Sequence, residues 1–278
     1  MEVAINNLSL ETFMDLPLLR FALSYPGIDL RIALVVFVLL LCFSAFWLFQ
    51  KIFPHLLFGE DAPYAGYIYN AMGVVFSLVF AFVTVLVWQN YNGVSDAVAK
   101  EASTLNNVYR VFSAFPPEID KTGKAQVRAY VKTVINEEWP LLSKNEFSLQ
   151  AYKELTALED FVVQIKPKNM GESNAHQQLL HLTLQATELR RSRIYNARFA
   201  LAPPAWIGLA SSLMVFLIFS CLFQMKSQKI HILLIAFLGL TVVGILYFLV
   251  LFIHPFLGPL AITPEPFNGL INISWLYK

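Results

Sequence analysis

Charge is what this sequence has least of. Only 14% of its 278 residues are Asp, Glu, Lys or Arg, against 57% hydrophobic, and that is too apolar for a water-soluble domain of this length. The few charges nearly cancel, at net +1, so no concentrated basic surface exists for nucleic acid to use. Cysteine is almost missing. Cys42 and Cys221 both lie in apolar runs and read as small packing residues; a disulfide framework needs exposed, even-numbered cysteines, and a metal site needs closely spaced ligands. The sequence also lacks a Gly-rich phosphate loop, a Gly-x-Ser-x-Gly elbow and a His-Glu-x-x-His pair. His176 and His181 are five apart on a predicted helix and do not share a face. Adjacent Glu137 and Glu138 point about 100° apart, which gives no acid–base pair. An enzyme is the least favoured class, and no metal or cofactor is implied.

What is present is four long apolar runs: Ile32–Phe49, Gly66–Trp88, Pro204–Met225 and Ile230–Ile253. Crossing a hydrocarbon layer roughly 30 Å thick takes about 20 apolar residues in helical form, because lipid offers no partner to an open backbone N–H or C=O. None of the runs carries a charged side chain, whereas proton-coupled transporters place ionisable groups at membrane depth. The polar groups read inside them are Ser44, Ser77, Thr84, Ser211, Ser212, Ser220 and Thr241, with Gln89 and His254 at ends. Charge-driven transport is disfavoured; a passive pore or a structural assembly fits.

The runs divide the chain. Residues 1–31 read as an interfacial segment: Glu2, Glu11 and Asp15 do not suit a signal peptide, and the Leu- and Phe-rich stretch is broken by Pro17 and closed by Pro26-Gly27. Residues 32–90 hold spans 1 and 2, residues 91–202 a helical domain, residues 203–254 spans 3 and 4, and residues 255–278 a tail. Four spans put both termini and the middle domain on one side. That side carries Arg20, Arg31, Lys100, Arg190, Arg191, Arg193 and Arg198 near the membrane, against Lys51, Lys226 and Lys229 opposite. The positive-inside rule makes it the cytoplasmic side.

The middle domain reads as helices. Val94, Val98, Ala102, Leu105, Val108 and Phe112 recur at helical steps, and no Pro interrupts Gly66 to Phe115, so span 2 is expected to run on as one rod until Pro116-Pro117. A second helix is expected over Glu118–Glu138, ended by Trp139-Pro140. A third is expected over Ser148–Ile165. A fourth is expected from Asn174 as N-cap through Leu201, with a kink at Pro203-Pro204. The fold class is therefore an all-α membrane protein, with four transmembrane helices and a helical cytosolic bundle between spans 2 and 3.

Span 2 is the most pore-like. Gly73, Ser77 and Ala81 form a small-residue ridge suited to close helix approach, and Phe76, Phe80 and Thr84 form a neighbouring ridge that could line an apolar constriction. Ordinary helix packing explains the same residues. Arg190 and Arg193 share a helical face. They read as headgroup anchors, as partners of Glu101 or Glu138, or as an anion-concentrating collar at a pore entrance.

Several motifs occur in order: Glu101-Ala102-x-x-Leu105 with Val108-Tyr109-Arg110; Val127-Arg128-x-Tyr130-Val131 followed by Glu138-Trp139-Pro140; Glu188-Leu189-Arg190-x-x-Arg193-Ile194; and Pro255-Phe256-x-Gly258 with Pro264-Glu265-Pro266-Phe267. Over residues 66–270 the chain resembles the bestrophin-like domain family, found largely in bacteria. The resemblance implies a ring of subunits, as in the pentameric bestrophin channels, in a bacterial inner membrane, and favours Phe76, Phe80 and Thr84 of span 2 as pore candidates; Gly73 and Ser77 of the neighbouring ridge are taken with them as pore-lining. Partners would be lipid, ions and other copies of the chain. The chain has no acidic cluster able to form a calcium clasp. The expected function is passive ion flux, with anions preferred on the strength of the Arg190–Arg198 stretch. The alternative is a non-conducting scaffold or signalling protein that recruits a cytosolic partner. A force-generating stator shares only the topology.

Overall fold

The computed structural model describes residues 28–197 and 203–271. Residues 1–27 of the expected interfacial segment, with Arg20, lie outside the described residues, as do Arg198, Leu201 and the end of the tail, while residues 28–31 already belong to the first helix. Every regular element among the described residues is a helix; one isolated bridge pairs Phe58 with Phe223. Four helices are long and apolar enough to cross a membrane. They are α1 (Ile28–Ile52), α2 (Ala62–Val111), α7 (Pro203–Cys221) and α8 (Gln228–Ile253). Between α2 and α7 lie α3 (Pro117–Thr133), a π turn (Val134–Glu138), α4 (Trp139–Leu142), α5 (Leu149–Gln164) and α6 (Met170–Ala197); α9 (Glu265–Ile271) follows α8. The chain divides into two compact units: residues 1–88 with 200–253, and residues 89–199 with 254–278.

In the first unit α1 packs on α7 and α8. Cys42, Phe46, Cys221 and Ile235 form a buried cluster, and both thiols are free. A Cβ on Gly239 would stand 3.1 Å from the Cys42 sulfur, so glycine there sets how closely α8 approaches α1. Gln50 Nε2 donates to the Cys221 carbonyl at 3.3 Å, fastening the ends of α1 and α7. His231 is buried, with Nε2 3.0 Å from the Ser220 carbonyl and its ring edge-on to Phe46 at 4.8 Å. In a low-dielectric core that carbonyl is the polar partner the imidazole needs.

The second unit is a helical bundle with one apolar core. Val94, Val98, Leu105, Val108 and Phe112 of α2 and its last turn meet Val127, Val131 and Val134, then Leu155, Leu158, Leu179 and Leu182. The rod forecast from sequence is continuous: α2 is 50 residues long. Pro117 starts α3, where its missing N–H leaves no bond unmade. Ser148 caps α5, its hydroxyl accepting from Ala151 N at 3.1 Å.

Two boundaries differ from expectation. The N-cap of α6 is Asn169, not Asn174. Asn169 Oδ1 accepts from Glu172 N at 2.8 Å while the Glu172 carboxylate reaches back to Lys168 N at 2.8 Å, and this reciprocal box satisfies the open N–H groups one turn earlier. Trp139-Pro140 does not end the second helix of the bundle. The backbone widens into the π turn, where Trp139 N–H bonds the Val134 carbonyl, and Pro140 sits in the first turn of α4.

Candidate functional site

Within the first unit α2 shows three faces. The inner one meets α7 of the same chain. Tyr69 stacks on Phe216 with centroids 4.5 Å apart, Phe76 stacks on Phe216 at 5.4 Å, and Phe76 and Phe80 touch at 5.8 Å. Phe80 is only 7% exposed, and a Cβ on Gly73 would come 3.3 Å from the Phe216 ring. Thr84 turns its hydroxyl back to the Phe80 carbonyl at 2.9 Å. So Gly73, Phe76 and Phe80 are occupied by contacts inside the chain. A second face is large, apolar and exposed: Ile68, Val75, Val79, Phe82 and Leu86. The third is also exposed and carries Asn70, Ser77 and Ala81, with the apolar Val74 between them, at steps of three and four. Ser77 bonds the Val74 carbonyl at 2.9 Å. Asn70 is not among the residues singled out from sequence, and neither is His231. The signal for Asn70 was an amide inside an otherwise apolar run.

The second unit gathers the motif residues. Arg193 Nε donates to Glu101 Oε2 at 2.7 Å, and its Nη2 bridges Glu101 Oε1 at 3.2 Å and Glu138 Oε1 at 2.8 Å. Arg190, one turn earlier, binds the Glu138 carboxylate and gives an N–H to the Ser148 carbonyl at 3.1 Å. Tyr130 donates to Glu101 Oε1 at 2.7 Å, and Ser148 N to Glu138 Oε2 at 3.2 Å. Glu101, Glu138, Arg190 and Arg193 are all buried. Two carboxylates against two guanidiniums leave no net charge, and nearly every lone pair and N–H has a partner, which is the condition for burying ions. Within this cluster Arg193 Nη1 is the one buried side-chain atom with no hydrogen-bond partner among the described residues.

Trp139 completes the wall. Its ring lies 5.4 Å from the Arg193 guanidinium carbon, its Nε1 donates to the Ile262 carbonyl at 3.0 Å, and Phe256 and Phe267 meet it edge-on. Pro255 accepts from Ile262 N at 2.8 Å, and Gly258 has φ 89°, a left-handed turn that favours glycine. That turn folds the segment after α8 back under Trp139. Arg110, by contrast, is exposed and outside the cluster.

The electrostatics follow from the geometry. Burial alone would raise the Glu138 pKa, but Arg193 and Arg190 outweigh it and hold the carboxyl below its ordinary value. Burial would lower that of Arg193, yet Glu101 and Glu138 push it up. Burial first, then the Glu101 carboxylate, lifts the Tyr130 phenol well above its usual range.

A family model described as the Bestrophin-like domain matches residues 36–267, which takes in the α2 faces and the whole ion-pair cluster. The chain belongs to the bestrophin-like domain family. Among solved structures this bestrophin-like chain is similar to a point-mutated bacterial bestrophin homolog from Klebsiella pneumoniae, with TM-score 0.57 and 12% identity, covering 87% of this chain and 95% of that one. At that identity the likeness is one of fold. No curated protein matches. With family and apolar helices together, the bestrophin-like chain is a membrane protein.

Proposed function

We propose that this bestrophin-like protein is a passive ion channel, built from several copies around a shared axis in a bacterial inner membrane. The second unit and both termini lie in the cytoplasm, and α2 walls the pore. The observation that carries the reading is the third face of α2. Asn70, Ser77 and Ala81, with Val74 between them, form an exposed strip that is more polar and less bulky than the neighbouring face of Ile68, Val75, Val79, Phe82 and Leu86, which suits lipid well. Of the sequence candidates Ser77 belongs to that strip. Phe76 and Phe80 lie on the adjoining inner face and act by holding α2 against Phe216, so they position the wall.

Anion preference finds less support. Arg190 and Arg193 are neutralised by Glu101 and Glu138, which leaves exposed Arg191 as the free charge among the described residues of that stretch. The test is flux from sealed liposomes holding the purified protein, with potassium chloride gradients and ionophores that isolate cation from anion movement. Protein-dependent leak of either ion supports the channel. Liposomes as tight as protein-free controls at every pH and salt tried overturn it, and would favour the scaffold reading.

A further inference from the structure

Four cations share one face of α3. At about 100° per residue Lys121, Lys124, Arg128 and Lys132 fall within an arc of roughly 80°, over about 16 Å of axis. The acids of the helix, Glu118 and Asp120, stand in its first turn, where they suit the positive end of the peptide dipoles, and α3 carries no acid after them. A run of surface charge is ordinarily a solvated fringe whose side chains sample many rotamers. Half of this one is held. Lys124 Nζ donates to Ser113 Oγ at 2.6 Å, pairs with Asp120 at 2.6 Å and stands 5.1 Å from the centre of the Tyr109 ring. Arg128 donates to the Tyr109 hydroxyl at 2.6 Å, with its guanidinium carbon 5.2 Å from the centre of the same ring. A hydroxyl and a ring face fix Arg128 without cancelling its charge. Among the described residues no carboxylate forms an ion pair with Lys121, Arg128 or Lys132, and all three are exposed. Ala125 and Ala129, also exposed, lie beside them.

We propose that this face of α3 is the docking surface for an acidic helical segment of a soluble protein. Cations four residues apart, as Lys124, Arg128 and Lys132 are, stand about 6 Å apart along the axis, and carboxylates at the same spacing on a partner helix meet them in register. The two alanines let that helix come to the axis separation of about 8–10 Å at which helices pack. Holding Lys124 and Arg128 beforehand removes part of the side-chain ordering that binding otherwise costs. A single phosphate would meet only one turn of the stripe. Nucleic acid is the poorer occupant, because the whole chain carries a net charge of only +1. The inference stands apart from conduction: a protein that docks such a helix and passes no ions leaves it intact.

The experiment is fluorescence anisotropy of a labelled alanine-based helical peptide with glutamate at every fourth position, titrated with the full-length protein in nanodiscs of zwitterionic lipid. Binding should saturate, and it should weaken severalfold as salt rises from about 50 to 300 mM. Lys121→Glu, Arg128→Glu and Lys132→Glu together should weaken it by about tenfold to a hundredfold. The same triple variant should gain affinity for the peptide with lysine in place of glutamate, a gain that misfolding cannot produce. A peptide of the same composition with its glutamates gathered at one end should bind more weakly than the spaced one. The proposal is overturned if the wild type binds the spaced peptide no better than an uncharged or an end-clustered one, or if the triple variant keeps the wild-type affinity. An oligonucleotide of equal charge that binds as tightly as the spaced peptide overturns it as well.

Discussion

Arg193 and Glu101 face each other at 2.7 Å with both side chains fully shut off from solvent, one from α6 and one from α2, 92 positions apart in sequence. The guanidinium is also shared with Glu138, so removing it strands two buried carboxylates with Arg190 as their remaining cation. Arg193→Met should destabilise the second unit by about 3–5 kcal/mol, the usual effect of leaving buried charge unpaired. Arg193→Lys should recover only part of this, since a point charge cannot bridge both carboxylates. The check is thermal unfolding of the detergent-solubilised protein. Adding Glu101→Gln to Arg193→Met should lose less than the sum of the two single changes.

Acid should attack the same cluster through Glu138. Its folded pKa lies below the ordinary glutamate value of about 4.3, so the stability it contributes is fully present above that value and is lost as pH falls through the folded pKa. Unfolding temperature should stay level from neutral pH down to the carboxylate range and drop below it. Glu138→Gln should be less stable at neutral pH and less sensitive to acid. Tyr130 has the opposite sign. The fold keeps its phenol protonated, so stability should decline as pH rises past the usual phenol value of about 10, and Tyr130→Phe should flatten that limb.

Gly123 separates two effects of one methyl group. Gly→Ala inside a helix such as α3 ordinarily gains about 1 kcal/mol of propensity. Here the new Cβ would stand 2.3 Å from the ring of Phe112, which is wholly buried and cannot swing away. Overpacking of this kind costs about 1–3 kcal/mol, so Gly123→Ala should lower the unfolding temperature. Phe112→Leu in the same chain should reverse the sign of the Gly123→Ala effect.

The sequence made the rods legible and hid what their faces do. The Val94 to Phe112 stripe of α2 could be read because burial follows the 3.6-residue period, and the Pro116-Pro117 stop because proline leaves little choice. Arg190 and Arg193 could be placed on one face by their spacing, but pairing with Glu101 or Glu138 stood only as one reading beside headgroup anchoring and an anion collar. That Glu138 and Trp139 both reach Arg193 was beyond reach, since a π turn is a tertiary compromise with no residue signature. The small and aromatic ridges of α2 were visible too. Which one meets α7 depends on Phe216, far along the chain, and periodicity within one helix cannot say what lies opposite.

The faces of α2 can be told apart by cysteine accessibility. A charged, water-soluble thiol reagent attacks thiolates, which exist only where water reaches. Native Cys42 and Cys221 are buried at 2% exposure each, which keeps the background low. If the strip walls an aqueous path, Ser77→Cys and Ala81→Cys should react, and modification should cut ion flux sharply because the added group narrows a passage lined by small residues. Val75→Cys and Phe82→Cys, on the large apolar face, should stay unreacted in lipid. Phe80→Cys should also be slow, and it should lower the unfolding temperature, because Phe80 packs on Phe76 against α7. Flux blocked through residue 82 and untouched through residue 77 would turn the helix by roughly half a revolution and move the pore wall with it.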